Sequence, residues 1–260
     1  MVSNLTIFII VFNILVSIAI PVGLAIVLKK KYNTSLKVFF VGCAVWFLFA
    51  MVLEQFLHVA VLASPAGAAI QGNIWLMALY GGLAAGVFEE TGRLIAMKTI
   101  LKKNQDNSYN SLMYGAGHGG FEAFFILGFS MLNNLIYSII INNNQTDVLL
   151  ASLDDAGKDQ VYASIASLIN TPYAAFLVGS VERVLAVLLH IALSVLVWIA
   201  VVKGKKALFP LAIFIHFLVD AVAVITSRLG MNMVLVEVII FVLSALTAFL
   251  ALHLWKKEKM

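Results

Sequence analysis

The residues with chemistry to offer begin at Phe88-Glu89-Glu90-Thr91-Gly92-Arg93, a charged knot inside an apolar stretch that runs from Asn73 to about Ile100. Two adjacent carboxylates and an arginine at bilayer depth cost several kcal/mol, so they belong against protein and not lipid, and such groups are functional-site candidates. On a helix Glu89 and Arg93 lie four apart and can pair, while Glu90 is turned about 100° away. One acid is braced and the other is free, or the reverse. The same four-residue spacing recurs in His118 with Glu122, His216 with Asp220 and Glu54 with His58. Glu182, Arg183 and His190 follow on one stretch, with Arg183 and His190 seven apart on a shared face, and Glu237 stands alone. Three histidines and several carboxylates around one wet pocket can do general acid–base work or bind a metal.

Amide hydrolysis inside a membrane needs a cavity that holds water, a base to deprotonate it and donors for the oxyanion. A glutamate of the 89–90 pair suits the base, and His190 or His216 the donor. A metal version would use two histidines and a carboxylate, with water in the fourth position. Both versions are open at this point.

These residues sit in a chain that is 62% hydrophobic and 12% charged over 260 residues, which describes a polytopic membrane protein of one transmembrane domain, 1–260. The net charge of +4 comes from lysines at span ends, so it reports orientation and not nucleic acid. The lone Cys43 lies in an apolar run, which excludes a disulfide framework or a cysteine zinc site. The first apolar run, Leu5 to Leu28, lacks a basic leader and reads as a retained helix.

Apolar runs of roughly 20 residues, the length that crosses a bilayer, predict an all-α bundle of about seven spans at 4–28, 38–62, 74–100, 112–141, 172–202, 207–227 and 231–255. Pro21 is expected to kink the first span, and 161–169 reads as a short interfacial helix. Thirteen of the seventeen basic residues follow odd-numbered spans (Lys29–Lys31 and Lys37; Lys98, Lys102 and Lys103; Lys203, Lys205 and Lys206; Lys256, Lys257 and Lys259). By the positive-inside rule the N-terminus is outside, the C-terminus is cytoplasmic, and the protein is a multi-pass component of the cell membrane. Counted from span ends, Glu89, Glu90, His118, Glu122, His190, His216 and Asp220 share one depth, between the midplane and the cytoplasmic side. A pocket open to that side is expected. Glu54, His58, Glu182 and Glu237 fall nearer the outer side, with Glu54 and His58 forming a self-satisfied pair. Gly115, Gly117, Gly119 and Gly120 either let helices approach closely or leave room for a substrate backbone beside His118.

The motifs now on the page, EETGR, HGGFE, LLHIALS and HFLVD on four successive spans within about 74–227, resemble those of the CAAX-protease, ABI and PrsW superfamily, nearest to its YhfC-like branch. The resemblance implies an intramembrane endopeptidase of the glutamic type acting on a membrane-embedded or membrane-associated peptide or protein. Glu89 or Glu90 is then the base, His118 or Glu122 the second-motif residue, and His190, His216 and Asp220 the later ones. Arg93 matches the first motif's basic residue. Arg183, Glu54 and His58 are supporting residues. No cofactor is required in that version; a zinc version would place the ion on His118, His190 and His216. Other classes compatible with buried Glu, His and Asp are a proton- or ion-coupled transporter and a non-catalytic scaffold.

Overall fold

The computed structural model describes residues 1–151 and 153–260, and every regular element among them is helical. Seven long helices carry the architecture: α1 Asn4–Tyr32, α2 Leu36–Leu62, α3 Ile74–Lys98, α4 Asn110–Asn142, α5 Tyr173–Val202, α6 Leu208–Arg228 and α7 Met233–Lys257. All except α3 are both long and apolar enough to cross a bilayer. At 25 residues α3 is long enough, about 37 Å at 1.5 Å per residue, but Glu89, Glu90 and Arg93 break its apolarity. Side-chain caps fix several starts: Ser3 accepts from the Thr6 amide, Asn73 from those of Trp75 and Leu76, and Asn232 from that of Val234.

The helix at the centre is α5. Its most apolar window is 72% buried in protein, against 17–28% for the others that are long and apolar enough to cross. Apolarity on every face is what a fully enclosed helix requires. Around it the helices come close because glycines line the contacts. A Cβ on Gly117 would stand 2.0 Å from the Phe39 carbonyl oxygen of α2, and one on Gly115 2.5 Å from the Ile191 Cα of α5. Gly120 meets Pro21 of α1, and Gly119 meets His190. Of the two roles open to these glycines, close helix approach is the one seen, and the space beside His118 is filled by α1, α2 and α5.

Pro21 leaves α1 as one uninterrupted element and packs against Gly120. Two π-helical stretches had no signal in the sequence, Phe47–Leu53 in α2 and Phe124–Gly128 in α4. The first runs directly into Glu54 and the second begins two residues after Glu122, in keeping with the tendency of such widened turns to lie at functional positions. The helix expected at 161–169 is longer, Asp155–Asn170, and is capped by Asp154.

Candidate active site

Four helices deliver the charged cluster to one place. The third helix presents its two acids in opposite ways, because adjacent residues are about 100° apart. Glu90 turns fully inside, where its Oε1 is bound by Arg93 three residues on and lies 2.9 Å from His216 Nδ1 on α6. Glu89 faces α4, with Oε2 2.8 Å from His118 Nε2 and 3.9 Å from His190 Nδ1 on α5. Arg93 thus pairs with Glu90 and not with Glu89, which is the reverse arrangement of the two that helix spacing allows.

His190 is the hub. Arg93 Nη2 lies 3.1 Å from its Nδ1, and a guanidinium can only donate, so Nδ1 accepts and the ring proton sits on Nε2. That nitrogen is 2.5 Å from Glu122 Oε2, a close contact of a neutral imidazole with a carboxylate whose geometry is not that of a well-directed hydrogen bond. Arg183 Nη1 holds the other Glu122 oxygen at 2.8 Å and also pairs with Glu182. Arg183 and His190, predicted to share a face, meet on one carboxylate. The His190 ring lies 5.0 Å from that of His118 and 5.2 Å from that of His216, centroid to centroid.

His216 completes the group, with its second nitrogen 3.5 Å from Asp220 one turn along α6. Glu89, Glu122, His190, His216 and Asp220 line a cavity of about 750 Å³, while His118 and Glu90 lie fully buried behind its wall. The direction of that cavity differs from expectation. It runs between α5, α6 and α7 to Met77, Ala175, Arg228 and Met233, the ends opposite the lysines, while at the lysine end Met97, Leu101, Met113, Leu193, Leu196 and Trp198 are fully buried.

Glu54 and His58 form the expected pair at 3.2 Å. Sequence reasoning missed the third member, Tyr80, whose hydroxyl is 2.7 Å from His58 Nδ1. It also missed the fully buried Asn13 of α1, which donates to the Phe176 carbonyl and accepts from Ser180; a lone asparagine in an apolar span was the available signal. Glu237, read as a lone acid, lies on the cavity wall.

Among the described residues, the group whose donor atoms lie close enough to share one ion is Glu89, His118 and His190, all buried, with one ligand atom from each within 4.8 Å of the others. His216 is outside it, held between Glu90 and Asp220. Two imidazoles and a carboxylate are a donor set of catalytic zinc sites that keep an open position. A carboxylate behind a ligand histidine, as Glu122 stands behind His190, commonly orients it.

A family model described as YhfC intramembrane metalloprotease matches residues 16–240. The chain belongs to that family. Within it, the uncharacterized membrane protein YhfC of Bacillus subtilis (strain 168) is 36% identical over 238 residues, which is 90% of each chain. No solved structure matches. As a YhfC family member the chain is a multi-pass membrane protein and an intramembrane peptidase.

Proposed function

We propose that this YhfC protein is a zinc-dependent intramembrane endopeptidase, with Glu89, His118 and His190 as the residues that hold the ion and a membrane-embedded or membrane-associated peptide as substrate. What carries the reading is the convergence of three buried donors, of which Glu89 and His190 line the inner end of a cavity and His118 lies behind its wall, together with the family's description as metalloproteases. This departs from the glutamic version and from the three-histidine ligand set: Glu89 is a ligand, and His216 a wall residue. A bound zinc supplies Lewis acidity and a nucleophilic water at neutral pH. Around it, Glu122 orients His190 through Nε2, Arg183 fixes Glu122, and the Arg93–Glu90 pair anchors the α3 side of the cluster. His216 is held at Nδ1 by Glu90 and stands 3.5 Å from Asp220 at Nε2; turning that loosely held Nε2–H from Asp220 into the cavity makes it the donor to the scissile carbonyl. The seven helices all count as spans, with the N-terminus outside and the C-terminus cytoplasmic.

A glutamate-activated, metal-free version is the second reading, favoured by two contacts. Glu89 meets His118 directly at 2.8 Å, and Arg93 occupies the His190 nitrogen that faces Glu89; an ion bound at that nitrogen displaces the guanidinium. Elemental analysis of detergent-purified protein separates the two. The zinc reading expects about one zinc per chain, removed by chelator and restored by added metal, and absent from His118→Ala and His190→Ala. Wild-type protein that neither carries zinc nor takes it up overturns this reading in favour of the second.

A further inference from the structure

We propose that the site is served from the lysine-poor face alone, so that its substrate is an extended peptide segment presented on the extracytoplasmic side of the membrane. The proposal rests on the peptidase reading for what is cleaved, and on the cavity for how it is reached. Glu89 lies fifteen residues from the start of α3, His190 seventeen from the start of α5, and His216 twelve from the end of α6. At 1.5 Å per residue these place the cluster about 22, 25 and 18 Å from the same face of the bundle. The cavity spans that distance without interruption: Ala223 and Val224 line its middle, and Met77, Met231 and Met233 its mouth.

Toward the other face the cluster is closed off, and the apolar groove of about 400 Å³ between Tyr109, Ile191 and Trp255 at that end is lined by none of the cluster residues. Met97 and Leu101 after the α3 acids, Met113 at the start of α4, and Leu193, Leu196 and Trp198 below His190 on α5 are all essentially without exposed surface. Interiors packed in this way admit no chain. The sealed end is the one that carries Lys98, Lys102, Lys103, Lys203, Lys205 and Lys206, which the positive-inside rule assigns to the cytoplasm. Access to the cluster is therefore single-ended and outward. At about 3.3 Å per extended residue, a chain entering from the mouth covers the distance to Glu89 with about seven residues, so the bond that reaches the cluster lies that far from where the substrate leaves the outer surface.

The experiment is cysteine accessibility in a Cys43→Ser background, with Val224→Cys and Ala223→Cys as two independent cavity positions and Lys102→Cys as the exposed marker of the far end. A membrane-impermeant maleimide is applied to intact cells and to inverted vesicles. The expected result is labelling of a cavity cysteine from outside only, and of Lys102→Cys from the vesicle side only. Labelling of the cavity cysteines from the vesicle side, from both sides, or from neither, or on the same side as Lys102→Cys, overturns the proposal. The readout is independent of catalysis and metal. Outward labelling in a protein without zinc would sink the metal reading and leave this one standing, and zinc with inward labelling would do the opposite.

Discussion

Glu89 and Glu90 share a peptide bond and have different work, and substitutions should separate them. Glu89→Gln keeps shape and removes the charge that the cavity uses. In the metal-free reading it removes the base and should cost about 10²–10⁴-fold in turnover of any membrane peptide the wild type cleaves; in the zinc reading turnover falls together with the zinc content of the purified protein. Glu90→Gln removes the counter-charge of the fully buried Arg93, and Arg93→Ala strands Glu90. Breaking a buried pair from either side costs about 3–5 kcal/mol, so both variants should melt well below wild type in detergent. A Glu90→Gln protein as stable as wild type and lacking activity would move Glu90 into the chemistry. The sequence made the existence of this site legible, since ionisable residues four apart on three spans and seven apart on a fourth had to face one another. It did not reveal the pairing. Spacing allows Arg93 both Glu89 and Glu90, and the choice falls to His216, which arrives from a helix more than a hundred residues later and sits beside Glu90. The same reason moves His216 out of the candidate ligand set: its two nitrogens are engaged by Glu90 and Asp220.

Among the elements, α4 is the one least tolerant of added atoms. Gly117→Ala puts a methyl 2.0 Å from a backbone oxygen of α2, and backbone cannot step aside as a flexible side chain can. Overpacking costs about 1–3 kcal/mol in a well-packed core and more where helices must separate. Gly81→Ala on α3, where nothing lies within 4 Å, should be neutral or slightly stabilising, because alanine is the better helix former. Thermal unfolding of the two side by side checks the claim, and equal melting temperatures would refute it. The glycines themselves were conspicuous in the sequence. Whether protein or substrate filled the space above them depends on α1 and α2, whose faces carry no comparable signal. The π-helical stretches were invisible for a related reason, since an apolar run reads the same whether its turns hold 3.6 residues or slightly more.

At the scale of the whole molecule, the lysine pattern predicts that a tag after Lys257 is cytoplasmic and that the 142–171 segment is reached from outside. Protease protection of the 142–171 segment in intact cells would overturn that orientation. The helical membrane bundle was legible because six of the long helices are apolar enough to read by themselves, whereas α3 is interrupted by its own charged residues. The opening of the cavity was not, since it depends on which halves of the helices pack solidly and which splay, a property of the assembled bundle alone. The enclosure of α5 has a consequence in time. Its apolar surface is suited to lipid when it first enters the bilayer, and it becomes an interior only when α6 and α7, which follow it in the chain, close around it. His190, His216 and the cavity between α5, α6 and α7 therefore come together only after α6 and α7 have joined the bundle.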